Sequence, residues 1–452
     1  MPGCRRIIKK GIIMNNIVDT IKNILALSAA DDYEIEEIRE QGWEFYFIRH
    51  KLDQNRAKDV TTVKIKVFKK LEDGKYLGSA IGEIPPTATE EDIKHLVDNL
   101  VYQAGLVKNP YFELNGPEEA GQGVTPQEAL TEVDIESIAK DFIETFDSIP
   151  ETETEDLNSY EIFVSKIEKH FVNSRGIDQV ITYPEALLEV VTNARTQDEN
   201  GFTKEIELYR LYPRGTCDKK ALTEDVVELL HMGKDRLDAV PTPNLKKAPL
   251  IFSTQDAVYL CDYFFDRMNA AYKYQGFSDW EIGKEISQDV KGDKVTLTAI
   301  PMLPNSSSNF PFDEEGAMVR ERVLIKDNVP ENFWGGRQFS QYIGLKDSSI
   351  VYNFRIEGGS KTKDELRTGP YIEVVEFSGF DCDVITGDIA GEIRLGYYHD
   401  GDKITRITGG SVSGSMADLM KEVYFSKELR QYDNAVIPAV IRLEGATIAG
   451  IE

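Results

Sequence analysis

The residues able to do chemistry in this chain are few and scattered. Its five histidines, His50, His95, His170, His231 and His399, lie far apart. None has another His three to five residues away, the spacing that brings two imidazoles onto one metal from a helix. Each reads as a surface or satisfied residue, and His399, within Tyr397-Tyr398-His399-Asp400-Gly401, reads as part of a hairpin turn. The four cysteines, Cys4, Cys217, Cys261 and Cys382, contain no Cys-x-x-Cys pair. That spacing argues against a disulfide framework or a Cys-rich zinc site, and for reduced thiols. Asp313-Glu314-Glu315 is a carboxylate cluster with the means to bind a cation, but is expected as a solvated hairpin tip. Ser411-Val412-Ser413-Gly414-Ser415 lacks the strand–elbow–helix pattern of a hydrolase nucleophile and is expected as a turn. Gly335-Gly336 and Gly358-Gly359 are not phosphate loops, because no Gly-Lys-Ser/Thr follows.

Composition narrows the function further. The chain has 452 residues and a net charge of -26. Affinity for DNA comes mainly from Lys and Arg neutralising phosphates, so direct nucleic-acid binding is not expected. The length implies two or three domains, and 41% hydrophobic residues suffice for real cores. No stretch approaches the roughly 18 apolar residues of a membrane span. The basic start, Met1 to Lys10, lacks the apolar run of a signal peptide. Residues 1–13 read as an extension upstream of Met14, and a cytoplasmic location is expected.

The elements that must position any site read as α+β. Residues 14–115 form an N-terminal α/β domain. Its first helix carries Ile17, Ile21, Ile24 and Leu25 on one face, and Thr62 to Phe68 alternates as a half-buried strand. Thr89-Glu90-Glu91-Asp92 resembles a capping box, with Asp in the usual Glu place, leading into a helix. Residues 116–240 form a middle region: a helix from the Thr125-Pro126-Gln127-Glu128 capping box to about Phe146, antiparallel strands over 160–194 turning at Asn173-Ser174-Arg175-Gly176, and a helix over 221–237. Residues 248–452 hold one helix at about 255–271. Many short strands and glycine turns follow, predicting a barrel-like or layered β domain.

Separated motifs then point one way. Asn173-Ser174-Arg175-Gly176, Asp238 to Pro243, Phe312-Asp313-Glu314-Glu315-Gly316 with Val323 to Asp327, Thr386-Gly387-Asp388, and Ile404 to Gly414 occur in the order found in the TldD/TldE (PmbA) proteins. The chain therefore resembles that family, first named modulators of DNA gyrase and now understood as peptidases. The resemblance implies a chamber that admits extended peptides. It also implies assembly as a homodimer or as a heterodimer with a TldD-like subunit. TldD-like chains carry zinc on a His-Glu-x-x-x-His motif with a later Cys; TldE-like chains lack these ligands.

Aligned on the family, the first His falls at Cys261, the Glu at Asp262, the second His at Asp266, and the late Cys near Arg430. Cys and Asp can both hold zinc, but Cys261 and Asp266 lie about 140° apart on a straight helix. Ala257, Val258, Cys261, Phe264, Phe265 and Met268 instead form an apolar stripe at helical spacing, which assigns Cys261 to a core. The expectation is a TldE/PmbA-like, non-catalytic peptide-binding or partner subunit without a metal of its own. An atypical metallopeptidase and a gyrase modulator acting through protein contacts stand as alternatives.

Overall fold

The computed structural model describes residues 17–120, 133–401 and 403–451. The readings of residues 1–13 and of the capping box at Thr125 to Glu128 fall outside these, apart from the end of the helix it was to begin.

Helix α1 (Ile17–Leu27) buries Ile17, Ile21 and Leu25, with Ile24 packed beside them. Strands β1 (Asp32–Ile48) and β2 (Lys51–Leu71) form a long antiparallel hairpin. The predicted alternation in β2 holds, with Val63, Ile65 and Val67 fully buried. They pack beneath α2 (Glu90–Ala104), whose Ile93, Val97 and Leu100 share their cluster. The capping box of α2 is present: the Thr89 hydroxyl accepts from the Asp92 N–H at 3.2 Å, and Asp92 accepts from the Thr89 N–H at 3.0 Å. Strand β3 (Tyr76–Ile84) pairs with β2 only over Val63 to Leu71, so among the described residues β2 from Lys51 to Thr62 pairs on one side alone.

After β4 (Asn109–Pro110) and α3 (Pro117–Ala120) comes α4 (Ile135–Asp147), capped by Asp134 on the Ser137 N–H. Strands β5 (Glu155–Asn173), β6 (Asp178–Gln197) and β7 (Thr203–Arg214) continue the same sheet, in the order β4-β3-β2-β1-β5-β6-β7. The Asn173 to Gly176 turn joins β5 to β6. Asn173 Oδ1 accepts from the N–H groups of Arg175 and Ile177, and Gly176 takes φ 99°, a left-handed value glycine tolerates. Helix α5 (Lys219–Leu237) lies on β6 and β7.

The C-terminal part contains β8 (Val240–Pro241), β9 (Lys246–Phe252), α6 (Ala257–Arg267) and α7 (Ala270–Gln275). The single helix expected at about 255–271 is thus two, broken where Asn269 caps α7 through the Ala271 N–H. Then follow β10 (Leu297–Ile300), β11 (Arg322–Lys326), β12 (Val329–Pro330), β13 (Asn353–Ile356), β14 (Tyr371–Cys382), β15 (Asp388–Asp400), β16 (Lys403–Thr408), β17 (Ser411–Ser415), β18 (Val423–Phe425), β19 (Leu429–Tyr432), β20 (Ala435–Pro438) and β21 (Ile441–Ala449). Strands β14-β9-β21-β17-β15 close on themselves through the β14–β15 pairing, a five-stranded barrel. The α+β class and the barrel-like C-terminal expectation are borne out. A second sheet, β12-β11-β10-β13-β20-β19, packs beside it around one large apolar cluster.

Three local expectations are corrected. His399 is not in the turn: it lies on β15 and stacks on Tyr371 with ring centroids 4.1 Å apart. Ser411 to Ser415 is strand β17, drawn into the barrel by pairing with β15 and β21. Asp313 is no solvated tip. It is 5% exposed, and its carboxylate accepts from the N–H groups of Glu315, Ala317 and Ile350 at 2.8–2.9 Å. Burial and the neighbouring Glu315 charge raise its pKa to about 7. The sequence shows a charged triplet; it does not show that the next segments fold back over its first member.

Candidate functional site

Helix α6 is set by its apolar side. Ala257, Leu260, Cys261, Phe264, Phe265 and Met268 are all buried, and Phe265 stacks on Trp334 and Phe354 with centroids 4.7 Å away in each case. Trp334 Nε1 donates to the Phe265 carbonyl at 2.8 Å, fixing the helix end. Cys261 is 1% exposed, and burial holds its thiol well above the ordinary range, so it stays a neutral core residue. Val258, placed in the stripe by its spacing, is half-buried: it packs against the same core cluster and also lines a cavity.

Asp262 and Asp266 occupy the other side of α6, one turn apart. Burial, then the Asp266 charge, raises Asp262 to about 7, and burial raises Asp266 to about 6. An ordinary aspartate titrates near 3.9 in the unfolded chain. Both carboxyls are therefore easier to hold neutral in the fold. The penalty for ionising Asp262 is absent below about pH 4 and is complete above about pH 7. Asp262→Asn is expected to match the wild type in urea unfolding at pH 4 and to exceed it by about 1–2 kcal/mol at pH 8. Equal stability at both pH values would contradict this.

The cavity beside α6 encloses about 300 Å³. Gln255, just before α6, with Val258 and Tyr259 of α6 form one wall, Arg210 to Arg214 of β7 another, and Arg430 and Tyr432 of β19 a third. Both β7 and β19 are the last strands of their sheets. Arg430 crosses the space to α5: its Nη2 donates to Asp225 at 2.8 Å and to Glu228 at 2.7 Å. Arg214 Nη2 donates to the other oxygen of Asp225 at 2.7 Å, so arginines from two different sheets meet on one carboxylate. The Arg430 guanidinium also lies 4.9 Å from the centre of the Tyr432 ring. Deeper in, Arg210 and Glu376 form a buried ion pair joining β7 to the barrel strand β14.

On the far side of Arg430 lies a second cavity of about 540 Å³, lined by His231, Ser253, Arg367, Glu373 and Tyr397 among others. Only Glu228 and Arg430 line both cavities. Of the aligned positions, the structure brings only Arg430 to the cavity walls. Cys261 faces the core, and neither Asp262 nor Asp266 lines either cavity. Asp225, Glu228, Arg210, Arg214 and Tyr432 were not singled out from the sequence. The available signals were the i, i+3 carboxylates of α5 and the i, i+4 arginines of β7, which are too common to stand out unaided.

Zinc requires ligands that converge. Here the thiol is in the core, the two carboxyls are turned away from it around the helix, and the fourth position carries a guanidinium. The residues at these positions do not fit the metal. Among the described residues, no three His, Cys, Asp or Glu side chains stand together as a metal site.

Comparison with known proteins agrees with this architecture. Residues 245–450 match the model of the PmbA/TldA metallopeptidase C-terminal domain. The chain is thus similar to the TldD/TldE (PmbA) proteins, and the family match covers its C-terminal part. Metalloprotease PmbA of Escherichia coli O157:H7 is 23% identical over 184 residues, 39% of this chain and 40% of that protein, so the match spans well under half of PmbA. An uncharacterized protein of Methanocaldococcus jannaschii is 23% identical over 369 residues, 76% of this chain and 82% of its own length. The crystal structure of TldE from Thermococcus kodakarensis superposes with a TM-score of 0.73 at 17% identity, covering 97% of this chain and 100% of that one. A Thermotoga maritima structure, named as a candidate modulator of a DNA gyrase, gives 0.73 at 16%, covering 96% and 100%. At these identities the structural likeness shows the fold alone.

Proposed function

We propose that this chain is a TldE/PmbA-like, non-catalytic member of its family. It holds extended peptides and works as a homodimer or beside a zinc-bearing TldD-like partner in cytoplasmic proteolysis. One observation carries this reading: a guanidinium, Arg430, stands with its carboxylate partners in the cleft beside the helix where the catalytic branch carries its metal motif. A cation there would be repelled by Arg430 and would find no converging ligands on α6. The cleft itself is walled by two strand edges, tyrosines and paired charges, features suited to a polypeptide. Among the described residues, no helix is long and apolar enough to cross a membrane.

The test is metal analysis of the purified chain together with cleavage of unfolded peptides, alone and with a zinc-bearing relative. The expected result is no stoichiometric zinc and no cleavage by the chain alone, with peptide capture retained. Stoichiometric zinc with chelator-sensitive cleavage by this chain alone would overturn the reading.

A further inference from the structure

The Arg430 contacts divide one cleft into two. The cavities on either side share only Glu228 and Arg430. An extended peptide running through the cleft must therefore move this ion pair. Its geometry makes movement inexpensive. When Arg430 turns away, Asp225 keeps Arg214 at 2.7 Å and is not left as an unpaired buried charge. Glu228, whose side chain is 39% exposed, returns to water. The Arg210–Glu376 pair next to it has no such freedom, because its side chains are only 8% and 11% exposed. Opening also leaves the Arg430 guanidinium against the Tyr432 ring, inside the cleft, without its best acceptor.

We propose that Arg430 is the gate of this cleft and that it opens by exchange: a carboxylate on the entering peptide replaces Glu228 as its acceptor. The planar guanidinium suits this role because it accommodates a carboxylate through two parallel N–H bonds. The gate thereby selects peptides bearing a carboxylate, at the C-terminus or on a side chain. This inference rests on the peptide-holding reading above.

The test uses the full chain and dansyl-labelled ten-residue peptides of Ser, Thr and Val, followed by fluorescence titration. One peptide ends in a free acid, one in an amide, one is an amide with an internal Glu, and one is an amide with an internal Lys. The acid or the Glu peptide, or both, should bind about 10-fold more tightly than the neutral amide, the effect of one charge-assisted contact. Which of the two does so identifies the source of the carboxylate. Arg430→Gln should abolish that preference, and Glu228→Gln, at a half-exposed position, should strengthen binding of the preferred peptide by removing its competitor. Equal affinity for all four peptides, tighter binding of the Lys peptide, or unchanged binding in Glu228→Gln would overturn the gate while leaving the peptide-holding reading intact. Binding of no peptide by any form would overturn both.

Discussion

Replacing Arg210 with methionine is expected to destabilise the protein by about 3–5 kcal/mol, enough to remove much of its folding free energy. Arg210 and Glu376 are 7% and 8% exposed, and their ion pair connects β7 of the large sheet to β14 of the barrel. Removing the guanidinium leaves the Glu376 carboxylate in a low-dielectric interior, where it must either ionise without a partner or take up a proton. The double variant Arg210→Met with Glu376→Leu removes both charges and should recover most of the loss, because two apolar side chains of similar volume satisfy a buried site without desolvating an ion. Urea unfolding of the two single variants and the double variant forms a complete cycle. Additive losses in the double variant would contradict the account. The pair lies at a junction already shared by the two units: Val375 of β14 and Leu395 of β15 belong to the same apolar cluster as Phe142, Tyr160 and Leu229.

Placing a histidine at Cys261, the position the resemblance implies for a first ligand, should harm this chain. Cys261→His is expected to cost about 2–4 kcal/mol, because a larger polar ring would be forced into a close-packed, buried site. The thiol is 1% exposed among Leu260, Phe264 and Met268, with Phe252 and Phe377 in the same cluster. Cys261→Ala, which only shortens the side chain, should cost less than the histidine. Thermal unfolding of the two variants, with and without added zinc, separates the possibilities. A histidine variant as stable as the wild type, or one strongly stabilised by zinc, would show that α6 retains room for a ligand.

What could be read from the sequence followed from periodicity and from turn chemistry. The stripe on α6 placed Cys261 in the core, the alternation in β2 placed Val63, Ile65 and Val67, and Asn173 to Gly176 gave the β5–β6 turn. These are local rules, and the structure obeys them. The misreadings concern residues whose surroundings come from far along the chain. Asp313 is buried because Ile350 returns over it, and Ser411 to Ser415 becomes a strand because β15 and β21 flank it. The cleft was illegible for the same reason. Arg430, Asp225 and Arg214 come from three elements in two halves of the chain, and no spacing rule links them. Only the Arg430 position was marked in advance, through the family resemblance, and its partners were not.

The outer half of the β1–β2 hairpin has its own consequence. From Lys51 to Val60 every residue of β2 is exposed, and among the described residues no strand pairs with its far side. A bare edge of this length is a template on which another chain can stack, the first step toward fibrous aggregation. Lys51, Asp53, Arg56, Lys58 and Asp59 place five charges of both signs along it, which penalises flat pairing in most registers. Substituting them with valine or threonine would leave the native contacts of the barrel untouched and would favour self-association through this margin.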